Sequence, residues 1–163
     1  MEHWQGQGLV IAARSHGESG VILTLLTEDS GVVNGYVPGG QSSRKRASFE
    51  VGNLVSANWS ARDTNSLGRF DVTLEVNNAV MIMHERGPLL ALQSACALIR
   101  DAVPERQNYD GLYAGTLAMI ESLSHTHWAE VYVFWELRLL DVLGYGLDLT
   151  RCAAGGSVDD LAY

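Results

Sequence analysis

Residues 41–46 read Gln41-Ser42-Ser43-Arg44-Lys45-Arg46 and follow Gly39-Gly40 directly. Glycines let backbone amides approach a phosphate. Serine hydroxyls donate to its oxygens, and three adjacent cations release counterions when a polyanion binds. Lys45 is the chain's only lysine, and it stands between two arginines. The same residue types also suit a solvated hairpin tip, so the run by itself supports both readings. It lacks the spacing of a Walker nucleotide loop.

Arg14, Arg62 and Arg69 are expected at strand ends, near Tyr36, Trp59 and Phe70. Cations interleaved with aromatics are what a single-strand platform uses, with charge following the backbone and rings stacking on bases. Trp59 and Phe70 each fall on an apolar strand face, which favours core packing over stacking. Tyr36 fits either role.

Other reactive side chains form no catalytic set. His125 and His127 are two apart and do not share a helix face. With no cysteine near them, cap and surface roles fit better than zinc. Cys96 lies on an apolar helical stripe and reads as core, whereas Cys152 sits in a polar segment. The chain has no Gly-x-Ser-x-Gly elbow, no His-Glu-x-x-His and no Gly-x-Gly-x-x-Gly after a strand. Asp159 and Asp160 adjoin only in the tail. The reading is of a protein that is not an enzyme and that needs no cofactor or metal.

The elements that must carry these residues change character along the chain. Phe70, Val72, Leu74 and Val76 alternate with polar residues, as do Val55, Ala57, Trp59 and Ala61, the period of a half-buried strand. Leu9 to Arg14, Val21 to Thr27 and Val32 to Val37 are short apolar runs punctuated by glycines. Five short strands in roughly eighty residues predict a small barrel or sandwich, of which a five-stranded barrel of the oligonucleotide-binding (OB) type is one solution. Beyond residues 78–87 the period becomes helical. Pro88 opens a pattern with Leu89, Leu92, Cys96, Ile99 and Val103 on one face, and Pro104 closes it. A second helix is expected from Tyr109 to Leu123. A third is expected from an N-cap at Thr126, with a stripe of Trp128, Val131, Tyr132, Trp135, Leu139 and Val142. The fold class is α+β: an OB-fold barrel over residues 1–80, then a helical domain over 81–163 that reads as C-terminally incomplete.

The net charge is −8 over 163 residues. A strongly acidic chain is a poor general polyanion binder, but its charge is uneven. Residues 1–80 hold six basic and eight acidic groups, and the remainder five and eleven. No apolar run reaches membrane-helix length and the first residues do not resemble a signal peptide. Two distant cysteines suit a reducing compartment. A cytoplasmic protein with no membrane contact is expected.

Several motifs, in order and spacing, resemble those of the RecO family of DNA repair proteins along nearly the whole chain. They begin with Gly8, Arg14-x-x-Gly17-Glu18 and Leu25-Leu26-Thr27-Glu28-x-x-Gly31. Gly39-Gly40-x-Ser42 follows, with its basic loop. Next come Gly52-Asn53-Leu54-Val55, Trp59-x-Ala61-Arg62 and Leu67-Gly68-x-Phe70. The helical half adds Pro104-Glu105-Arg106 and the stretch Trp135-Glu136-Leu137-Arg138-Leu139-Leu140-x-x-Leu143-Gly144. Pro38 departs from the pattern, since the family often has arginine before the two glycines. Cys152 lacks the partner cysteines of the zinc-bearing members, so the resemblance does not extend to zinc.

This resemblance implies an OB barrel and a helical domain that bind single-stranded and double-stranded DNA. It also implies annealing of complementary strands and help to RecA in displacing single-strand-binding protein, with RecR as partner. The DNA surface would comprise Arg14, Tyr36, Arg44, Lys45, Arg46, Arg62 and Arg69. In a competing view the helical half is an interaction module that docks RecR or the acidic tail of single-strand-binding protein. Arg100, Arg106 and Arg138 would then supply positive charge, and Trp135 or Leu139 an apolar wall.

Overall fold

A computed structural model describes residues 2–63 and 66–150, with the side chain of Arg44 outside that description. Five strands come first: β1 (Glu2–His16), β2 (Gly20–Thr27), β3 (Gly31–Val37), β4 (Leu54–Ala61) and β5 (Gly68–Val76). They close into a barrel in the order β1-β2-β3-β5-β4. β1 is long enough to serve two neighbours. Its first half pairs with β4 and its second half with β2, with a bulge between Val10 and Ala12. Closure is completed by a short parallel seam, Gly35 with Gly68 and Tyr36 with Arg69.

The alternation read from the sequence is the alternation of the barrel wall. Val10, Leu23, Leu25, Val55, Trp59 and Phe70 point inward into one core. Trp59 and Phe70 are therefore core rings, and the Trp59 indole N–H donates to the carbonyl of Asn34 at 3.1 Å. The barrel's outer face is not all solvated. Leu9, Ile11, Leu26, Val32 and Leu54 form a second core with the helices. Each such side chain removed from water contributes roughly 1.5–3 kcal/mol before entropy is counted.

Between β3 and β4 the basic run forms a short helix, α1 (Ser43–Arg46), followed by a 3-10 turn at Ala47–Phe49. This corrects the hairpin-tip alternative. β3 and β4 are not neighbours, so the connection must cross the end of the barrel, and Phe49 plugs the inner core there.

After β5 come α2 (Asn78–Ile82), α3 (Arg86–Ala102), α4 (Leu112–Ser122) and α5 (Trp128–Val142). α3 lays Leu92, Cys96 and Ile99 on the outer face of β1. It begins two residues before the expected Pro88. A proline in the first turn loses no hydrogen bond, because that N–H has no partner inside the helix. α4 begins at Leu112 rather than Tyr109, because Gly111 takes a left-handed φ of 76°. His127, not Thr126, is the cap of α5, and His127 Nδ1 lies 2.9 Å from a Glu130 carboxylate oxygen. Val131 belongs to the exposed side of α5 with Val133 and Phe134, so only Trp135 and Leu139 of the expected stripe are fully buried.

Residues 104–107 tie the helices to the barrel. The Arg106 N–H donates to the Val32 carbonyl at 2.8 Å, and Val32 bridges to Glu105. A Cβ at Gly31 would fall 2.1 Å from the Gln107 carbonyl oxygen, which is why that turn needs glycine. No helix among the described residues is long and apolar enough to cross a membrane.

Candidate nucleic-acid interface

Strand pairing places four residues in one row across the barrel's outer face. Arg14 on β1 is opposite Ile22 on β2, Ile22 is opposite Tyr36 on β3, and Tyr36 is opposite Arg69 on β5. Paired residues share a face. The row therefore presents two exposed guanidinium groups with an aliphatic and an aromatic side chain between them. At one strand spacing per step it covers about 14 Å. It continues to Ser60 on β4 and meets β1 again at His3, far from Arg14, the stagger that a tilted closed barrel demands.

Local sequence makes room for the ring. A Cβ at Gly20 would lie 2.1 Å from the Tyr36 ring, so glycine there lets the tyrosine lie across the start of β2. His16 meets that ring edge-on, with centroids 5.9 Å apart and planes at 77°. Asn34, two residues before Tyr36 on the same face, accepts from the Thr24 hydroxyl at 2.5 Å and donates to a Glu105 carboxylate oxygen.

The basic helix stands at this end of the barrel. The Gln41 side chain donates to the carbonyls of Gly17 and Gly20 at 3.1 and 2.9 Å, and its N–H donates to Ser19 at 3.0 Å. These bonds fasten the approach to α1 onto the β1–β2 turn, beside His16 and Gly20. Lys45 reaches the Pro38 carbonyl at 3.5 Å, and Lys45 and Arg46 are exposed. Arg62 follows β4 directly, next to the Ser60–Arg69 pair, and is exposed. Among the described residues none of Arg14, Lys45, Arg46, Arg62 or Arg69 forms an ion pair.

The arginines assigned to partner binding behave oppositely. Arg100 lies 2.7 Å from Asp101, and this hydrogen bond holds the Asp101 carboxyl below its usual range. Arg138 lies 2.7 Å from Asp141. Arg106 is 3.7 Å from Glu2, and its guanidinium sits 4.7 Å above the Trp59 ring as a cation–π contact. Each is matched to a carboxylate of its own chain, so they do not make a free basic hollow. Trp135 and Leu139 are 6% and 5% exposed and cannot wall one; the Trp135 indole N–H instead donates to the buried Thr116 hydroxyl at 3.0 Å. The reason is positional. Trp135 faces α4 and Leu139 belongs to the core shared with the other helices, which periodicity alone did not distinguish from a surface groove.

A cleft of about 630 Å³ runs between α3 and the outer barrel face, with Arg14, Asn34, Arg100 and Glu105 among its walls. Cys96 borders it but is 1% exposed, and burial pushes its thiol up to about 12 against the opposing pull of Arg100. The sequence reading missed His16, Gly20, Ile22 and Asn34. Only cross-strand register could have flagged them, since none is charged or locally unusual. Cys152, Asp159 and Asp160 lie outside the described residues.

Two family models match the chain. Recombination protein O N terminal covers residues 1–77, and Recombination protein O C terminal covers residues 84–163. The chain is 41% identical over 160 residues to the DNA repair protein RecO of Jannaschia sp. (strain CCS1), covering 98% of this chain and 66% of that one. Identity to the protein of the same name from Rhodospirillum centenum is 43% over 162 residues, covering 98% and 65%. For that of Rhodospirillum rubrum it is 42% over 169 residues, covering 100% and 67%. The chain thus spans about two thirds of the length of these curated relatives. With both halves matched in order and identity sustained from end to end, the chain belongs to the RecO family of DNA repair proteins.

Proposed function

We propose that this protein is a non-enzymatic recombination mediator that holds single-stranded DNA across the outer face of an OB-type barrel. The strand order and the helix between β3 and β4 support the OB assignment. One observation carries the DNA reading. Arg14 and Arg69 flank Ile22 and Tyr36, and α1 with Lys45 and Arg46 follows a segment fastened to the adjacent β1–β2 turn; none of these four forms an ion pair among the described residues, while Arg100, Arg106 and Arg138 are matched with carboxylates. Local positive charge on an acidic molecule suffices to engage phosphates, and Tyr36 offers a ring to an unpaired base.

Two strands held with part of their charge neutralised repel each other less, which speeds annealing without any covalent step. Duplex DNA would be held through its phosphates alone. Family membership supports cytoplasmic partnership with RecR and with single-strand-binding protein, whose displacement would let RecA load.

The test is anisotropy of a labelled single strand titrated with protein from 50 to 200 mM salt. Replacing Arg44, Lys45 and Arg46 together by glutamine should weaken binding and flatten the salt slope by about 2, at roughly 0.7 per single-strand phosphate contact. Annealing of complementary strands should slow in parallel. Unchanged affinity and slope would overturn the assignment of the α1 cations. Tyr36→Ala should cost a further ~1–3 kcal/mol that Tyr36→Phe largely restores.

A further inference from the structure

The barrel seam is two residue pairs long, and it leaves an edge behind. β5 pairs with β3 only at Gly68 and Arg69, whereas β4 accompanies it to Val76. No strand among the described residues lies beside the other edge of β5 from Phe70 to Val76. Among the described residues no backbone hydrogen bond is made from it outside the β4 ladder. An edge of this length with its main-chain groups free is a template for another strand, and proteins normally cover or blunt such edges.

The edge runs straight into exposed apolar surface. Val76 ends β5, and Val80, Met81 and Met83 follow on and just after α2, with Met81 71% exposed. These side chains are held out rather than loosely placed. The Asn77 side chain caps α2 by accepting from the Val80 N–H, Asn78 donates to the Gly52 carbonyl at 2.9 Å, and Ile82 anchors α2 in the core. Flexible methionines beside a free strand edge suit an adaptable peptide contact. The outward side chains of β5 beyond Arg69 are Asp71, Thr73 and Glu75. Neither carboxylate forms an ion pair among the described residues.

We infer that the free edge of β5, with Val80 and Met81 at its end, takes up an extended basic segment of a protein partner by strand addition. Main-chain hydrogen bonds would supply affinity, and cationic side chains opposite Asp71 and Glu75 would supply selectivity. A second copy of this chain pairing edge to edge would bring the same carboxylates together, which disfavours self-association. The edge begins one residue past Arg69 and so adjoins the row of Arg14, Ile22, Tyr36 and Arg69, but the inference rests on the edge and its carboxylates and does not depend on DNA binding.

The probe is a peptide of about seven residues alternating lysine and valine, which spans an average strand, titrated into the isotopically labelled chain. Saturable binding should shift the backbone amides of Val72, Leu74 and Val76. Methylating alternate peptide nitrogens keeps the charge and removes main-chain donors, and should weaken binding at least about tenfold, since several hydrogen bonds are lost. The exposed-site pair Asp71→Asn with Glu75→Gln should weaken it and reduce its salt dependence, as should Val80→Ser with Met81→Ser without the salt effect. No saturable binding overturns the inference, as does equal affinity for the methylated peptide or amide shifts confined to other elements. Dimerisation through this edge in sedimentation would also overturn it, by naming a second copy as occupant.

Discussion

Exchanging Arg14 and Arg69 for glutamine removes the two charges that bound the Tyr36 row, without touching a buried group. Both are exposed and without an ion pair among the described residues, so folding stability should stay within about 0.5 kcal/mol. With Arg44, the proposed phosphate contacts number six: Arg14, Arg44, Lys45, Arg46, Arg62 and Arg69. If each meets one phosphate, log K for a single strand falls by about 4.2 per decade of salt, and by about 2.8 in the double variant. The difference of ~1.4 in slope is about 25-fold in affinity at 0.1 M salt, or ~1.9 kcal/mol. The matched control is Arg100→Gln with Arg138→Gln. It makes the same change in net charge, yet it removes cations already paired to Asp101 and Asp141. Anisotropy titrations of the three proteins against salt decide the matter. Equal weakening by both double variants would mean that binding follows total charge, and the platform reasoning fails. An unchanged slope in the Arg14/Arg69 variant would remove the row from the interface.

Three further outcomes follow from packing. Thr116→Val should leave the buried Trp135 indole N–H without an acceptor and cost about 1–3 kcal/mol in thermal unfolding, partly recovered by adding Trp135→Phe; no change in Tm would contradict the bond. Gly31→Ala meets both a φ of 64° and the Gln107 carbonyl, and should destabilise by about 2–3 kcal/mol. Gly17→Ala, with a φ of 63° but open space, should cost only about 1–2 kcal/mol, and equal losses would refute the steric part. In a Cys152→Ser background, Cys96 should resist alkylation at pH 8 in the native state and react once unfolded. Because the folded thiol keeps its proton up to about 12 while the unfolded one releases it near 9, this group removes stability as pH rises through that interval. Native labelling at the unfolded rate would refute its burial.

Much of the architecture was legible as period. Alternation in Val55 to Ala61 and Phe70 to Val76 announced strands and correctly put Trp59 and Phe70 inside, because a strand's two faces are distinguished by every second residue. The stripe Leu89, Leu92, Cys96, Ile99 and Val103 announced α3; Leu92, Cys96 and Ile99 are on its buried face, Leu89 is half-buried and Val103 caps its end. The misses share a cause. Helix starts moved with local capping at Gly111 and His127. Val131 was misplaced because α5 turns Trp135 and Leu139 fully into the core, with Trp128, Tyr132 and Val142 half-buried beside them, and leaves Val131 on the exposed side.

The chain's residues by themselves determined which segments become strands or helices and where the dense cationic run lies, since both depend on neighbours a few positions apart. Only tertiary structure decided which cations stand together. Register across β1, β2, β3 and β5 set Arg14 and Arg69 on either side of Ile22 and Tyr36, and folding brought Glu2 to Arg106, whereas Arg100 with Asp101 and Arg138 with Asp141 are pairs of near neighbours in the chain. The physical reason is that a charge's worth depends on what lies within a few ångströms, and in a closed barrel those neighbours come from strands far apart along the chain.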